Sequence, residues 1–331
     1  MAQTLEILTH RTATMRSIRG IVRTMKTMSA INAAPYERAA DAMLAYRETV
    51  LTAFQAFIEA RGALPALPAG GGAPIVIALG SDHGLCGNYN ETVAEHLHAA
   101  MRDAAAPRVV CVGAQMEDAL IALGHAPTTT LLPPASAEGL GRLASDLITV
   151  LDDMRQTGDG GAVSLVFMAR AAHGRQEPVL QRLLPLDRAL LDDLAARGWK
   201  SRSLPVFRMP APGLLAALIR SYLFAELFRA AAEALVTENA ARLARMSQAE
   251  RSVEDRLEEL AGELRTVRQS EITAEVLDVI IGFEALKDRR KPPRAEDTAP
   301  RLIVHAAGRR CRRGIRRFPL TPVKPCPPGL Y

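Results

Sequence analysis

The stretch Gly80-Ser-Asp-His-Gly-Leu-Cys-Gly-Asn-Tyr-Asn90 is where this chain could hold a phosphate. It follows an apolar run, Ile75–Leu79, and precedes an amphipathic one, so backbone N–H groups and a helix N-terminus could face an anion there. Its glycines stand at 80, 84 and 87, which is not the G-x-G-x-x-G spacing, and no acidic residue is well placed after a second strand to take a ribose. No G-x-x-x-x-G-K-[ST] motif occurs either. The segment reads as a tight turn feeding a helix. No catalytic residue and no cofactor-binding residue is expected. His96 and His98 are two apart, hence on opposed faces of a helix, and cannot share a metal. The four cysteines, at 86, 111, 311 and 326, form no C-x-x-C, so neither a metal site nor a disulfide scaffold is expected.

Charge offers a different kind of chemistry. Arg16, Arg19, Arg23 and Lys26 step by 3, 4 and 3, which aligns them as a basic stripe on a helix. Taken alone, such a stripe is a solvated face. Glu238 and Arg242 are spaced as an i, i+4 pair, a contribution of about 0.3–0.5 kcal/mol.

These residues need long elements to hold them. Residues 5–60 read as one helix in which Ile18, Val22, Met25, Ser29, Asn32, Tyr36, Ala39, Met43, Tyr46, Val50, Ala53 and Phe57 alternate steps of 4 and 3. That is a coiled-coil seam, thin because several members are small or polar. Pro35 interrupts it and predicts a kink near Ala33. A second helix is expected from Gly213 to Lys287, where Val253, Leu257, Leu260, Leu264 and Val267 repeat the spacing and Gly262 is the weak interior point. At 1.5 Å per residue the two would reach over ~80 Å and ~100 Å, too long to hide inside a globule of this size. They need each other, as an antiparallel pair.

Between them lies an α/β pattern. Strands are predicted at Ile75–Leu79, Arg108–Val112, Thr128–Leu132 and Ala162–Ala169, with helices at Asn90–Ala104, Met116–Leu123 and Leu140–Thr157. Short β-branched runs between amphipathic helices suggest a mainly parallel sheet covered on both faces. Residues 176–212 are less regular, with strand-like pieces at Leu183–Leu186 and Leu204–Arg208. The expected organisation is a helix over 1–60, a Gly/Pro linker at 61–74, an α/β domain over 75–209, a helix over 210–287 and a tail over 288–331. The fold class is thus α/β: a Rossmann-like three-layer domain inserted into a long antiparallel two-helix coiled coil.

Composition agrees. Aromatic residues are only 4% of the 331, which suits long helices better than barrels. The net charge of +5 is a property of the tail: residues 288–331 carry 12 Lys and Arg against 3 Asp and Glu, with eight prolines. Residues 1–287 carry 29 against 33, so the body is not basic, and the tail reads as disordered. No signal peptide and no membrane span are expected, since no run of about 18 uninterrupted apolar residues occurs.

Four segments, in order, resemble one family. Ile21-Val-Arg-Thr-Met-Lys-Thr-Met-Ser-Ala30 is similar to the N-terminal helix of gamma subunits of F-type ATP synthases. Gly80–Asn90 resembles their glycine-rich signature, with His83 where Arg is usual and Asn88 where Gly is frequent. Gln176–Pro185 resembles a further segment, and Tyr222–Leu286, with ENAARLARM, RQSEIT and GFEAL, resembles the C-terminal helix. TMKTMSAIN followed by YERAADAMLAYRETV resembles the alternate, N-type branch. Arg208-Met209 stands before Pro210 where many relatives carry Glu, and the tail has no family counterpart.

The resemblance implies a non-catalytic rotor shaft that couples ion translocation to ATP synthesis or hydrolysis. Its implied partners are the alpha and beta subunits of the catalytic ring, an epsilon-type subunit and the c ring, at the cytoplasmic face of a bacterial inner membrane. It also implies that Arg23, Met25, Lys26, Arg242, Arg268, Gln269 and Thr273 contact the catalytic ring. The residues alone leave an alternative: a coiled-coil adaptor whose basic tail binds nucleic acid or anionic lipid. The tail has few aromatics and no recognisable module, so no nucleic-acid partner is expected.

Overall fold

The computed structural model describes residues 2–62, 72–102, 107–156, 161–199, 201–203 and 206–289, without the side chains of 2, 3, 173, 288 and 289. The interior of the expected linker and the tail from residue 290 lie outside the described residues, as do positions 204–205 of one strand-like piece. The chain divides into two compact units, Met1–Ile272 and Thr273–Tyr331.

The first unit holds a five-stranded sheet in the order β3-β2-β1-β4-β5. Its strands are β1 (Ile75–Leu79), β2 (Arg108–Val112), β3 (Thr129–Leu131), β4 (Val163–Arg170) and β5 (Gln176–Leu184). β1 pairs in parallel with β2 and β4, β2 in parallel with β3, and β5 runs antiparallel to β4. Between the strands lie α2 (Tyr89–Ala100), α3 (Ala114–Ala122), α4 (Leu140–Met154) and α5 (Arg188–Ala196).

Both sheet faces are buried, which is why the inner strands read as continuous apolar runs. Val76, Ala78, Val109, Cys111, Val166 and Met168 face α2 and α3 in one core. Ile75, Ile77, Leu79, Val110, Leu165 and Phe167 join a larger core with α4 and two long helices. Those are α1 (Ala2–Arg61) and α6 (Ala211–Arg289). α1 continues through Pro35, so the expected interruption there does not end the helix.

α1 and α6 run antiparallel within this unit. Phe54 meets Tyr222 edge to face, Arg47 meets Glu226, and Lys26 meets Glu250, so partners descend along one helix as they ascend along the other. Nearer the chain start, Leu8 and Arg11 share a shallow cavity with Glu263 and Val267.

Half of the predicted seam on α1 is shifted by one residue. Val22, Ser29, Tyr36, Val50 and Phe57 are buried as expected. Between them the inward positions are Arg19, Ala33, Ala40, Arg47 and Phe54, whereas Ile18, Asn32 and Tyr46 are exposed and Ala39 and Ala53 only half-buried. Met25 and Lys26 are both half-buried. At Arg47 the physical reason is electrostatic: Glu226 is almost fully enclosed on α6, and Arg47 turns inward to pair with it in place of Tyr46.

Other departures are local. The piece at 183–186 is the end of the longer edge strand β5, whose Pro178 and alternating polar residues disguised it. Positions 206–208 are not a strand. α5 was not foreseen; Asp187 caps it by accepting from the Ala189 N–H at 3.0 Å. α6 also contains an 18-residue window with a mean hydropathy of 1.3, apolar enough by composition to cross a membrane. In the fold 28% of that window is buried, and Leu223, Leu227 and Ala230–Ala232 of this helix join the core.

Candidate functional site

In a sheet of this order the chain reverses its winding between β1 and β4, and the crevice at their carboxyl ends is where such folds bind ligands. Here α6 fills that crevice. Thr237 donates from Oγ1 to the Met168 carbonyl at 3.0 Å, and Gln176 Nε2 donates to the Thr237 carbonyl at 2.9 Å. Tyr89 OH donates to the Ala234 carbonyl at 2.8 Å; its burial pushes its pKa well up, so it stays a neutral donor. Arg170, at the end of β4, grips Glu233 of α6 with its backbone N–H and two guanidinium nitrogens and reaches Glu37 of α1 with the third.

The glycine-rich loop serves this arrangement. Asn90 closes it, accepting from Ser81 N at 2.9 Å and donating from Nδ2 to Ser81 Oγ at 2.8 Å. Asp82 accepts from Ala114 N at the start of α3. A Cβ on Gly80 would lie 2.7 Å from Asn90 Oδ1 and against Met116. Gly87, at φ +73°, leaves room for Arg245, whose Cζ would stand 2.9 Å from a Cβ there. The carbonyls of His83 and Gly84 accept from Arg242, which also pairs with Glu238. A phosphate cradle offers N–H groups; this loop offers carbonyl oxygens to a guanidinium and spends the Ser81 N–H on Asn90. Burial raises the Glu238 pKa, and the neighbouring Arg242 offsets part of that.

Lower on the helix pair, Glu226 is almost fully enclosed and receives Arg47, Gln181 Nε2 at 2.8 Å and Arg229. Burial alone would raise its pKa, but hydrogen bonds from Arg47 and Gln181, with the Arg229 charge, hold the carboxyl below its ordinary range. A cavity of about 730 Å³ opens beside this cluster between Ile58, Arg182, Leu190 and Tyr222. Among the described residues no group of three or more His, Cys, Asp or Glu could hold a metal ion. His98 does have a histidine neighbour, but it is His125, at 3.0 Å, and not His96.

The predicted contact residues fall into three groups. Arg23 and Lys26 both bind Glu250, at 3.3 and 2.8 Å, with Met25 half-buried beside them. Arg242 is directed inward to the loop, with its side chain 11% exposed. Arg268, Gln269 and Thr273 are exposed on α6. Sequence reasoning missed Glu226, Glu233, Glu250, Arg47 and Arg170. Three of these acids lie on α6 at positions facing α1 or the sheet, and that placement of charge inside a heptad was the available signal.

A helical pair whose second strand locks the mouth of a parallel sheet defines a stalk protein with an inserted α/β domain. The comparisons agree. The family model described as ATP synthase matches residues 4–286. The ATP synthase gamma chain of Desulforamulus reducens is 25% identical over 283 residues, covering 82% of this chain and 96% of that one. The gamma chain of Nitratidesulfovibrio vulgaris Miyazaki F is 30% identical over 226 residues, covering 64% and 73%. Among solved structures, a chain from the OSCP/F1/c-ring part of the Euglena gracilis mitochondrial ATP synthase matches with a TM-score of 0.60 at 14% identity, covering 90% of this chain and 100% of that one. A rotor chain of the same organism's synthase matches at 0.57, with 13% identity and 82% and 100% covered. The chain belongs to the family of ATP synthase gamma chains, the central-stalk subunits. Gamma chains are non-catalytic, peripheral subunits of a membrane-associated complex.

Proposed function

We propose that this chain is a rotor shaft that turns inside a ring of alpha and beta subunits, carries no catalytic site of its own, and joins through its α/β domain to a c ring and an epsilon-type subunit. Its place is the cytoplasmic face of a bacterial inner membrane. The working parts follow the expected division: helices over 1–60 and 210–287 as the shaft, 75–209 as the docking domain.

One observation carries this reading. From Ile272 to Leu286, α6 exposes Ile272, Val276, Leu277, Val279, Ile280, Ile281, Phe283 and Leu286. At 100° per residue they spread over about 220° of the helix circumference, with Glu275, Asp278 and Gly282 on the remaining face. An apolar band that wide calls for an embracing partner, and a groove on one side would not cover it. A sleeve formed by a ring of subunits would.

The shaft can direct chemistry because its faces differ. Each angle then presents different contacts to each catalytic site. Driving one site from 1:99 to 99:1 takes ~5.5 kcal/mol of differential contact, which a few buried contacts supply. Reciprocity requires that nucleotide binding in the ring also turn the shaft. Arg23, Met25 and Lys26 on α1, with Arg268, Gln269 and Thr273 on α6, are the residues we assign to the ring interface; Arg242, turned inward onto the glycine-rich loop, is withdrawn from it. The basic members would meet acidic loops.

Co-expression with alpha and beta subunits tests the assignment. The chain should copurify with them as a stoichiometric complex. Replacing Arg23 and Lys26 together by Ala should lower ion pumping relative to ATP hydrolysis. Failure to copurify would overturn the rotor reading, and unchanged coupling would remove the basic pair from the interface.

A further inference from the structure

Glu250 occupies a seam position of α6, four residues after Met246 and three before Val253, where the repeat otherwise places apolar side chains. A carboxylate there is costly unless paired. Both its partners come from α1. Lys26 Nζ donates to Oε2 at 2.8 Å, and Arg23 Nε donates to Oε1 at 3.3 Å. The exposures are graded: the Glu250 side chain is 12% exposed, Lys26 39% and Arg23 69%. The acid lies in the seam, and the two cations lean outward over it. The hydrogen bond from Lys26, more than the charges, holds the Glu250 carboxyl below its usual range. The cluster therefore presents one net positive charge to the outside, not two.

We propose that Glu250 is a positioning residue for the ring interface: it holds Arg23 and Lys26 on one edge of the helix pair and halves the charge they offer to an acidic partner. This rests on the reading that those cations meet acidic loops. A rotor contact must be released at every step, so an interface of limited strength is what turnover requires. Without the carboxylate both cations are free to reach outward at full charge, and the complex leaves each acidic loop more slowly.

The test uses the assembled complex with alpha and beta subunits. Glu250→Gln should assemble normally and lower ATPase turnover roughly two- to fivefold at low salt, the range expected for strengthening exposed ion pairs. Raising ionic strength should restore it, because screening weakens the extra attraction. Glu250→Met, which supplies an apolar seam residue and so repairs any purely structural loss, should show the same salt-reversible slowing. In Arg23→Ala/Lys26→Ala/Glu250→Gln the slowing should vanish. Four results overturn the proposal: normal turnover in Glu250→Gln, a slowing that persists at high salt, a slowing that survives in the triple variant, or one that Glu250→Met abolishes. If Arg23→Ala/Lys26→Ala alone leaves coupling unchanged, the interface reading falls and takes this proposal with it. If that variant uncouples while Glu250→Gln behaves as wild type, only the role of Glu250 is lost.

Discussion

Gly80 shows how closely single atoms are fitted where α6 crosses the sheet. The position is glycine because Met116 and Asn90 Oδ1 already occupy the space a side chain would need. Gly80→Ala must push Asn90 off Ser81, and Ser81 N and Oγ then lose their buried partner. The expected loss is about 1–3 kcal/mol, by overpacking and by the unmade hydrogen bonds. It is measured as a lower urea midpoint at unchanged slope. Leu85 of the same loop is held at φ 68°, which makes this turn strained as well as crowded. A phosphate-binding motif and a crowded structural turn draw on the same small residues, and only the direction of the backbone groups tells them apart. That direction is invisible in a list of residue types, which is why Gly80–Asn90 could be limited by spacing but not assigned.

At the scale of elements, the Arg47–Glu226 pair pins α1 to α6 across β5. Removing one partner of an enclosed ion pair leaves the other uncompensated. Arg47→Ala should therefore cost about 3 kcal/mol, the lower end of the range for such losses, since Arg229 and Gln181 remain on Glu226. The pair also sets a pH dependence. The folded-state pKa of Glu226 is below its ordinary 4.5, so its contribution is complete above that value and is lost as pH falls through the folded one. Acid titration of the melting temperature should show this loss below about pH 4.5, with a shallower slope in Arg47→Ala. The inner strands were legible to within a residue, because burial on both faces writes them as unbroken apolar runs. Both long helices were legible from their heptads. The frame of α1 was legible only by half: Val22, Ser29, Tyr36, Val50 and Phe57 were inward in either frame, and apolar spacing chose Ile18 and Tyr46 over Arg19 and Arg47. Hydropathy ranks a Tyr above an Arg. The fold ranks Arg47 by what faces it, and the facing acid, Glu226, lies 179 residues away in the chain. β5 and α5 escaped for a related reason: an edge strand and a short capped helix bury too little to imprint a period.

For the whole molecule, the apolar end of α6 should govern behaviour in isolation. An exposed set of this extent favours self-association. The purified chain should sediment as a concentration-dependent oligomer, while Ile280→Ser/Phe283→Ser should shift it toward monomer without changing the thermal midpoint of the α/β domain. An unchanged sedimentation profile would mean that this stretch is covered by something other than a second copy. The tail beyond residue 289 adds strong positive charge at the same end of the sequence, so low salt should oppose association and high salt promote it.

The crossing of α6 over the sheet has a mechanical consequence. Between Glu233 and Arg245 this helix is tied to β4, α2 and the glycine-rich loop by Arg170, Tyr89 and the carbonyls of His83 and Gly84. Twist applied to the α/β domain therefore enters α6 with almost no slack. From Met246 to Val267, among the described residues, the thin seam with the first part of α1 resists it, clipped by Glu250. That stretch is therefore where α6 should twist most readily under load.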